Sequence, residues 1–551
     1  MKKTILTSVS VLALGIAAPA FAQDNQSDVD QNGNNLSAQV TQTGSGNESD
    51  INQSSQYNDA TVEQSGTNGL ATISQTGNGQ TEAQGNGAKI VQAGNSAEAE
   101  ILQENGDGGD ANRNGAYVEQ DGDSYASVTQ AGRAQMAEVY QTGDLNEAYI
   151  NQRGTGNRVG NVLNDAEGGI IQTGDGNYAD IDQNPARYSS GAITQTGDDN
   201  DGVIRQEQIS GNGAELRSFA TITQTGAGNS GTINQLTDAN PADQDASITQ
   251  TGSSNVAMTN QSGQYNDGFV SQDGMSNTST LTQQGASATA EIAQEGTGNT
   301  STATQGAPNR LTSEQQLDLL QDGTDNTSTI TQYGSQNVAV VSQTGSRNTS
   351  TVDQPGLDNA AGAIGAEGDV AMVGVTQDGE DNTSSVTQAA NFGSAFVSQV
   401  GDNLTSTVRQ TGYSNFSSAN VDQIGASNTA TINQYADSAA NGGPARQMDA
   451  SITQEGSGNA STIDQTNTLG DPAISGNSAS SLQTGTNGYS LIEQDGHDNS
   501  ATLIDSGDLN QSTITQSGDL NAATVTQGGA SNVSFVTQDG ISNSATVTQG
   551  N

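Results

Sequence analysis

At 551 residues the chain is long enough for three or four ordinary domains, yet only 30% of it is hydrophobic, 3% is aromatic and none is Trp. Its 61 acidic residues against 14 basic ones give a formal charge of −47, which argues against nucleic acid and anionic membrane surfaces as partners. There is no Cys and a single His, so disulfide staples and thiolate sites are excluded, and no catalytic, cofactor-binding or metal-ligating residue is expected.

The first element in chain order is a leader. Met1-Lys2-Lys3 is basic, residues 5–18 are mostly apolar, and Ala20-Phe21-Ala22 supplies an A-x-A cleavage site before Gln23. Residues 1–22 therefore read as a secretory signal peptide, with an apolar run too short to cross a bilayer. Cleavage leaves Lys89 as the one lysine and moves the formal charge from −47 to −49. No later run is long enough for a membrane span, and the mature chain is expected to be exported.

From there the chain repeats. Gln31, Gln42, Gln53, Gln64 and Gln75 stand eleven residues apart. So do Gln250, Gln261, Gln272, Gln283, Gln294 and Gln305, and again Gln377, Gln388, Gln399 and Gln410. Near the C-terminus Asn510, Asn521, Asn532 and Asn543 keep this spacing, as do Gln516, Gln527, Gln538 and Gln549, with Ile514, Val525, Val536 and Val547 between them. Roughly forty copies of one half-repeat fill the chain, written N-x-a-x-b-x-Q-x-G with a small and b aliphatic. Gly44, Gly226, Gly296, Gly456, Gly518, Gly529 and Gly540 close such units at turns.

Inside the unit the period is two. Asn521, Ala523, Val525, Gln527 and Gly529 form one face, and Ala522, Thr524, Thr526 and Gly528 the other. That alternation specifies a strand, whereas a helix needs period 3.6 and is weakened by a Gly in every unit. So little apolar surface makes a core only by stacking. Two half-repeats predict a coil of 22 residues, with like positions about 4.8 Å apart along the stack. Aliphatic residues then pack on aliphatic residues, and buried carboxamides pair as ladders. The fold class expected is all-β, a β-solenoid of about twenty coils and about 95 Å long at that rise.

The spacing breaks near residues 104–116, 160–170, 208–219, 236–246, 307–320, 357–376, 435–450 and 466–482. These segments read as loops bulging from the coils, or alternatively as divisions into sub-rods. Residues 311–320 (LTSEQQLDLL) are the one stretch of helical character. Acidic residues gather at corners, as at Asp144, Asp198, Asp199, Asp402, Asp508 and Asp519, where their repulsion is expected to slow premature aggregation.

The motif Q-x-G-x-G-N recurs as Gln42-Thr-Gly44-Ser-Gly46-Asn47, Gln224-Thr-Gly226-Ala-Gly228-Asn229, Gln294-Glu-Gly296-Thr-Gly298-Asn299 and Gln454-Glu-Gly456-Ser-Gly458-Asn459. With its eleven-residue Gln spacing, this resembles the repeat of curlin, the subunit of bacterial curli fibres. The likeness covers essentially the whole mature chain. It differs in favouring Asn where that family alternates Asn with Ser, and in its unusual length. The resemblance implies an extracellular functional amyloid used in adhesion and biofilm matrix, with itself as main partner. A curli-type secretion pore and a nucleator or major-subunit partner are further implications. Independently, a solenoid ending on the open unit Gln549-Gly550-Asn551 is expected to template the next chain.

Other motifs are weaker. Gly226-Ala-Gly228-Asn-Ser-Gly231 fits G-x-G-x-x-G, but the strand-like Thr232-Ile-Asn-Gln235 follows it instead of a helix. Asp28-x-Asp30-x-Asn32-Gly33 begins like a calcium loop, but Gln39 stands where the bidentate Glu belongs. His497 reads as a solvated turn residue, and Asp505 takes a Gln position in the ladder. Outward Thr pairs at Thr221/Thr223, Thr513/Thr515, Thr524/Thr526 and Thr546/Thr548 suggest the competing function, a monomeric solenoid binding ice or another surface. Ser271, Asp353, Asn433 and Arg409 make that array patchy when read along the chain.

Overall fold

The computed structural model of the chain describes residues 24–78, 85–104, 113–160, 169–208, 217–237, 243–306, 314–355, 371–389, 393–412, 417–436, 447–467 and 476–550. Residues 1–22, read above as a signal peptide, lie outside them, as do residues 105–112, 161–168, 209–216, 238–242, 307–313, 356–370, 437–446 and 468–475 at the eight predicted insertions.

Among the described residues there are forty-three strands and no helix. Successive strands alternate between two parallel sheets, the first opening with Gln26–Asn34 and the second with Ser37–Gln42. The register advances one coil at a time, by 22 residues where no insertion intervenes. Gln261 pairs with Gln283 in the first sheet, and Gln272 with Gln294 in the second. Each sheet is an open stack rather than a barrel. In the second, Ser37–Gln42 pairs with Asp59–Gln64 at one end and Ser544–Gln549 with Ala522–Gly528 at the other. The chain is a β-solenoid.

Alternation creates the core. Strands such as Thr278–Ala286 bury every second residue, and the two inward faces meet in one continuous cluster running from Ile51 to Val536. Ile73, Ile181, Ile233, Leu281 and Ile432 have no exposed surface. β-branched residues suit these positions because each stands on a like neighbour in the pleat.

The insertions leave the ladders intact. Gln206 pairs with Gln235 across residues 209–216, and Gln343 with Gln377 across residues 356–370. The strands also reach into several of the breaks read from the sequence, since Ala371–Glu380 and Ser478–Thr486 begin inside two of them. Residues 158–173 show another solution. Arg158–Val159 and Ile170–Thr173 share one rung of the second sheet, between Met136–Thr142 and Ser190–Thr196.

The helical expectation for residues 311–320 is corrected where the chain is described: Gln316–Thr324 is a strand. Leu317 and Leu319 point inward, and Leu320 is outward and half exposed. The leucines follow period two once Gln321 is placed on the ladder, so stacking overrides local helix propensity. Asp28, Asp30 and Asn32 likewise lie on a strand, Gln26–Asn34, rather than in a loop.

Candidate functional site

The inward glutamines form two amide ladders, one in each sheet. In the second sheet Gln250 Nε2 donates to Gln272 Oε1 at 2.8 Å, Gln272 to Gln294 at 2.7 Å, and Gln294 to Gln321 at 2.8 Å. In the first sheet Gln261 donates to Gln283 at 2.9 Å, Gln283 to Gln305 at 3.0 Å, and Gln305 to Gln332 at 3.0 Å. All six of these predicted ladder residues from Gln250 to Gln305 are buried. The same amide nitrogens reach backbone carbonyls of the facing sheet, as Gln283 does to Asp267 O at 2.8 Å. The ladders therefore join neighbouring coils and also tie the two sheets together.

The asparagines do something different. Asn255 Oδ1 accepts the backbone N–H of Asn277 at 3.0 Å, while Asn255 Nδ2 donates to Gly274 O at 3.0 Å. The shorter side chain sits at a corner, where the next coil offers backbone as well as amide, so it laces corner to corner. Corner carboxylates act similarly: Asp144, Asp198, Asp402 and Asp508 accept backbone N–H groups of Asp123, Asp175, Glu380 and Thr486 at 2.9–3.1 Å. The sequence reading gave these acids only a repulsive role.

Gly44, Gly226, Gly296, Gly456, Gly518, Gly529 and Gly540 all have φ between +86° and +113°. The residue just before the corner Asn is also left-handed: Gly46, Gly228, Gly298 and Gly458 have φ of 65–70° there. Leu145, Leu509 and Leu520 hold the same position at φ near 59° and are more than half exposed. Leu520→Gly is expected to raise stability by about 1 kcal/mol by removing the left-handed Cβ penalty. Denaturant unfolding measures it.

Toward the C-terminal end the predicted ladder residues lose cover. Asn510, Ile514, Gln516, Asn521, Val525 and Gln527 are buried, and Val536 and Gln538 are 6% and 5% exposed. Asn532, Val547 and Gln549 are half-buried, and Asn543 is exposed. Val29, Val40 and Gln42 are half-buried at the opposite end.

One rung breaks the ladder. Asp505 stands between Gln483 and Gln527, is 1% exposed, and leaves Gln483 Nε2 and its own Oδ2 without partners. Ser512 Oγ lies 3.0 Å from Asp505 Oδ1 and 2.8 Å from Gln527 Oε1. Burial pushes the Asp505 carboxyl up to about 6, with the Ser512 hydrogen bond opposing. Because the folded value lies above the unfolded one, the proton favours the folded state. Its stabilisation is complete below about pH 4 and is lost as pH rises through about 6. Asp505→Gln is expected to add roughly 2 kcal/mol at pH 7 by restoring two buried hydrogen bonds. It should also flatten the stability profile between pH 4 and 7, which thermal unfolding across that range reads out.

His497 is corrected: it is buried at 6% exposure, with its backbone N–H donated to Asp519 Oδ1 at 3.2 Å. Its corner is tied to the next coil by that bond and by the Leu520 N–H, which donates to His497 O at 2.9 Å. Elsewhere Tyr125, Tyr149 and Tyr178 stack at 5.5 and 5.7 Å on the first sheet, beside Asp180 and Asp182, whose carboxyls burial pushes up. Among the described residues no group of His, Cys, Asp or Glu is placed to hold a metal ion.

The curlin-associated repeat matches residues 136–160, 252–285, 323–356, 379–412, 491–529 and 520–550. The chain therefore carries curlin-associated repeats, and over these segments it is similar to the curlin-repeat family. The described residues of each matched segment lie on the coils described above. Curlin repeats are structural units of self-assembling extracellular fibres. No curated protein matches the chain.

Proposed function

We propose that this curlin-repeat chain is a structural subunit, major or nucleating, of a secreted curli-like amyloid fibre that serves cell adhesion and biofilm matrix. It would leave the cell by way of the signal peptide and a curli-type pore, and no catalytic role is assigned to it. The observation that carries the reading is that its two end coils complement each other residue by residue. Continuing the interior register past Val533–Ile541 puts Val536 on Val29 and Gln538 on Gln31 of a following copy. In the second sheet Ala545 falls on Ala38, Val547 on Val40 and Gln549 on Gln42.

The ladders have a polarity that the joint preserves. Each Gln donates to the next, so Gln31 and Gln42 keep an open carbonyl oxygen at one end. Gln538 and Gln549 keep an unused N–H at the other, their remaining bonds going to Ala522 O and Val533 O. A second copy completes both ladders and covers the half-buried valines, and the heterologous contact does not close on itself.

Asp30 and Thr537 face each other across the proposed joint, and the chain has no Cys of its own. Asp30→Cys with Thr537→Cys should cross-link fibres into reducible linear polymers, because like positions on paired strands lie about 5 Å apart. Asp30→Cys with Thr548→Cys should not. Fibres that form without cross-linking in the first variant would refute the register.

A further inference from the structure

The outward face of the first sheet, from Thr278–Ala286 to Thr429–Ala436, is a plateau of threonine. Seven coils contribute three outward positions each, and all but four of these twenty-one are Thr. The exceptions are Ser385, Asp353, Arg409 and Asn433. Register places the residues in straight columns, such as Thr280, Thr302, Thr329 and Thr351. Of the residues that make the array patchy along the chain, Ser271 belongs to the other sheet, while Asp353, Arg409 and Asn433 interrupt the plateau itself.

β-propensity alone does not explain the pattern. The second sheet of the same coils has Phe269, Glu291, Asp318, Val340, Gly374 and Phe396 in its central outward column. Both sheets have the same backbone, so an intrinsic strand preference would enrich Thr on both. The plateau is also nearly free of charge on a chain of net charge −47.

We infer that the plateau pairs face to face with the same plateau of a second copy, joining two solenoids side by side. Four features of the molecule select this occupant. Elsewhere the acidic surface repels another copy, and here it does not. Identical columns on parallel, in-register strands can interdigitate as a dry zipper. Seven coils at about 4.8 Å, and strands at about 3.3 Å per residue, give roughly 600 Å² per copy. Both sides together reach about 1,200 Å², the lower limit for a specific interface. One such pair is weak. In a fibre, a reading this last step inherits from the proposed function, every added copy brings another plateau, and lateral pairing becomes multivalent.

The test compares wild type with Thr302→Glu/Thr351→Glu/Thr407→Glu, exposed or half-exposed positions two coils apart. Its control is Ser271→Glu/Ser342→Glu/Ser398→Glu, which adds the same charge to the opposite sheet. Fibres are grown from wild-type seeds and their mass per length is measured by electron microscopy. The plateau variant should elongate at the wild-type rate with half the mass per length, and the control should match wild type. Raising salt should increase pairing in wild type and control. Equal mass per length in all three overturns the inference. So does thermal hysteresis of freezing that only the plateau variant loses while pairing is absent, since that result makes the face an ice binder. If no fibres form, sedimentation of the unassembled chain decides. A dimer in wild type and control with a monomer in the plateau variant supports pairing, and monomers in all three refute it.

Discussion

Val547→Asp is expected to leave the folded chain almost unchanged and to slow end-to-end growth by at least about 100-fold. Position 547 is half-buried in the isolated chain, so a carboxylate there keeps its water. In the proposed joint it would be covered by the next copy against Val40, without a partner. An uncompensated buried charge costs roughly 3–5 kcal/mol, and every 1.4 kcal/mol is tenfold in association. The defect has a direction. The variant keeps a normal coil 26–42, so it can add to the 533–549 end of a wild-type fibre and then block that end. Small amounts mixed with wild type should therefore shorten fibres well below one variant per wild-type chain. Fibre length distributions check this, and unchanged lengths at equal mixing would contradict the joint.

Gly296→Ala is expected to destabilise the stack by roughly 3 kcal/mol or more. Gly296 has φ +104°, and a Cβ there would run into the carbonyl oxygen of Gly323 in the next coil. The obstruction is backbone, not a side chain that can turn away, and Gly323 is in the same relation to Gly345. Relief therefore requires two coils to separate. A solenoid transmits stress only between neighbours, so the damage should be local, with faster hydrogen exchange in the coils around residues 285–345. Gly528→Ala is the control. It has an ordinary φ and its nearest would-be contact is Ser506 Oγ at 3.8 Å, so a change within about 0.5 kcal/mol is expected.

Much of the fold was legible because one physical rule repeats. Period two with a Gln every eleven residues fixed which face turns inward, and pairs of half-repeats gave the coil. What the sequence hid falls into two kinds. Residues 311–320 have helical character in isolation, and only placing Gln321 on the ladder puts Leu317 and Leu319 on the inward face of a strand. The Thr plateau and the corner carboxylates depend on which residue lies one coil away. Thr280 and Thr302 are neighbours in space but twenty-two residues apart in the chain. Where insertions change that separation, as between Thr351 and Ser385, reading at a fixed period loses the column. The corner at His497 has the same origin, since its backbone is bonded to Asp519 and Leu520 of the next coil.

The central claim is that the end coils, rather than a folded monomer's surface, carry the function. The most direct measurement dilutes purified chain 23–551 out of denaturant and follows amyloid-dye fluorescence together with the sedimentable, detergent-resistant fraction. The account predicts a lag, then resistant fibres, and loss of the lag when preformed fibre fragments are added. A chain that folds promptly and stays monomeric at all concentrations would contradict it.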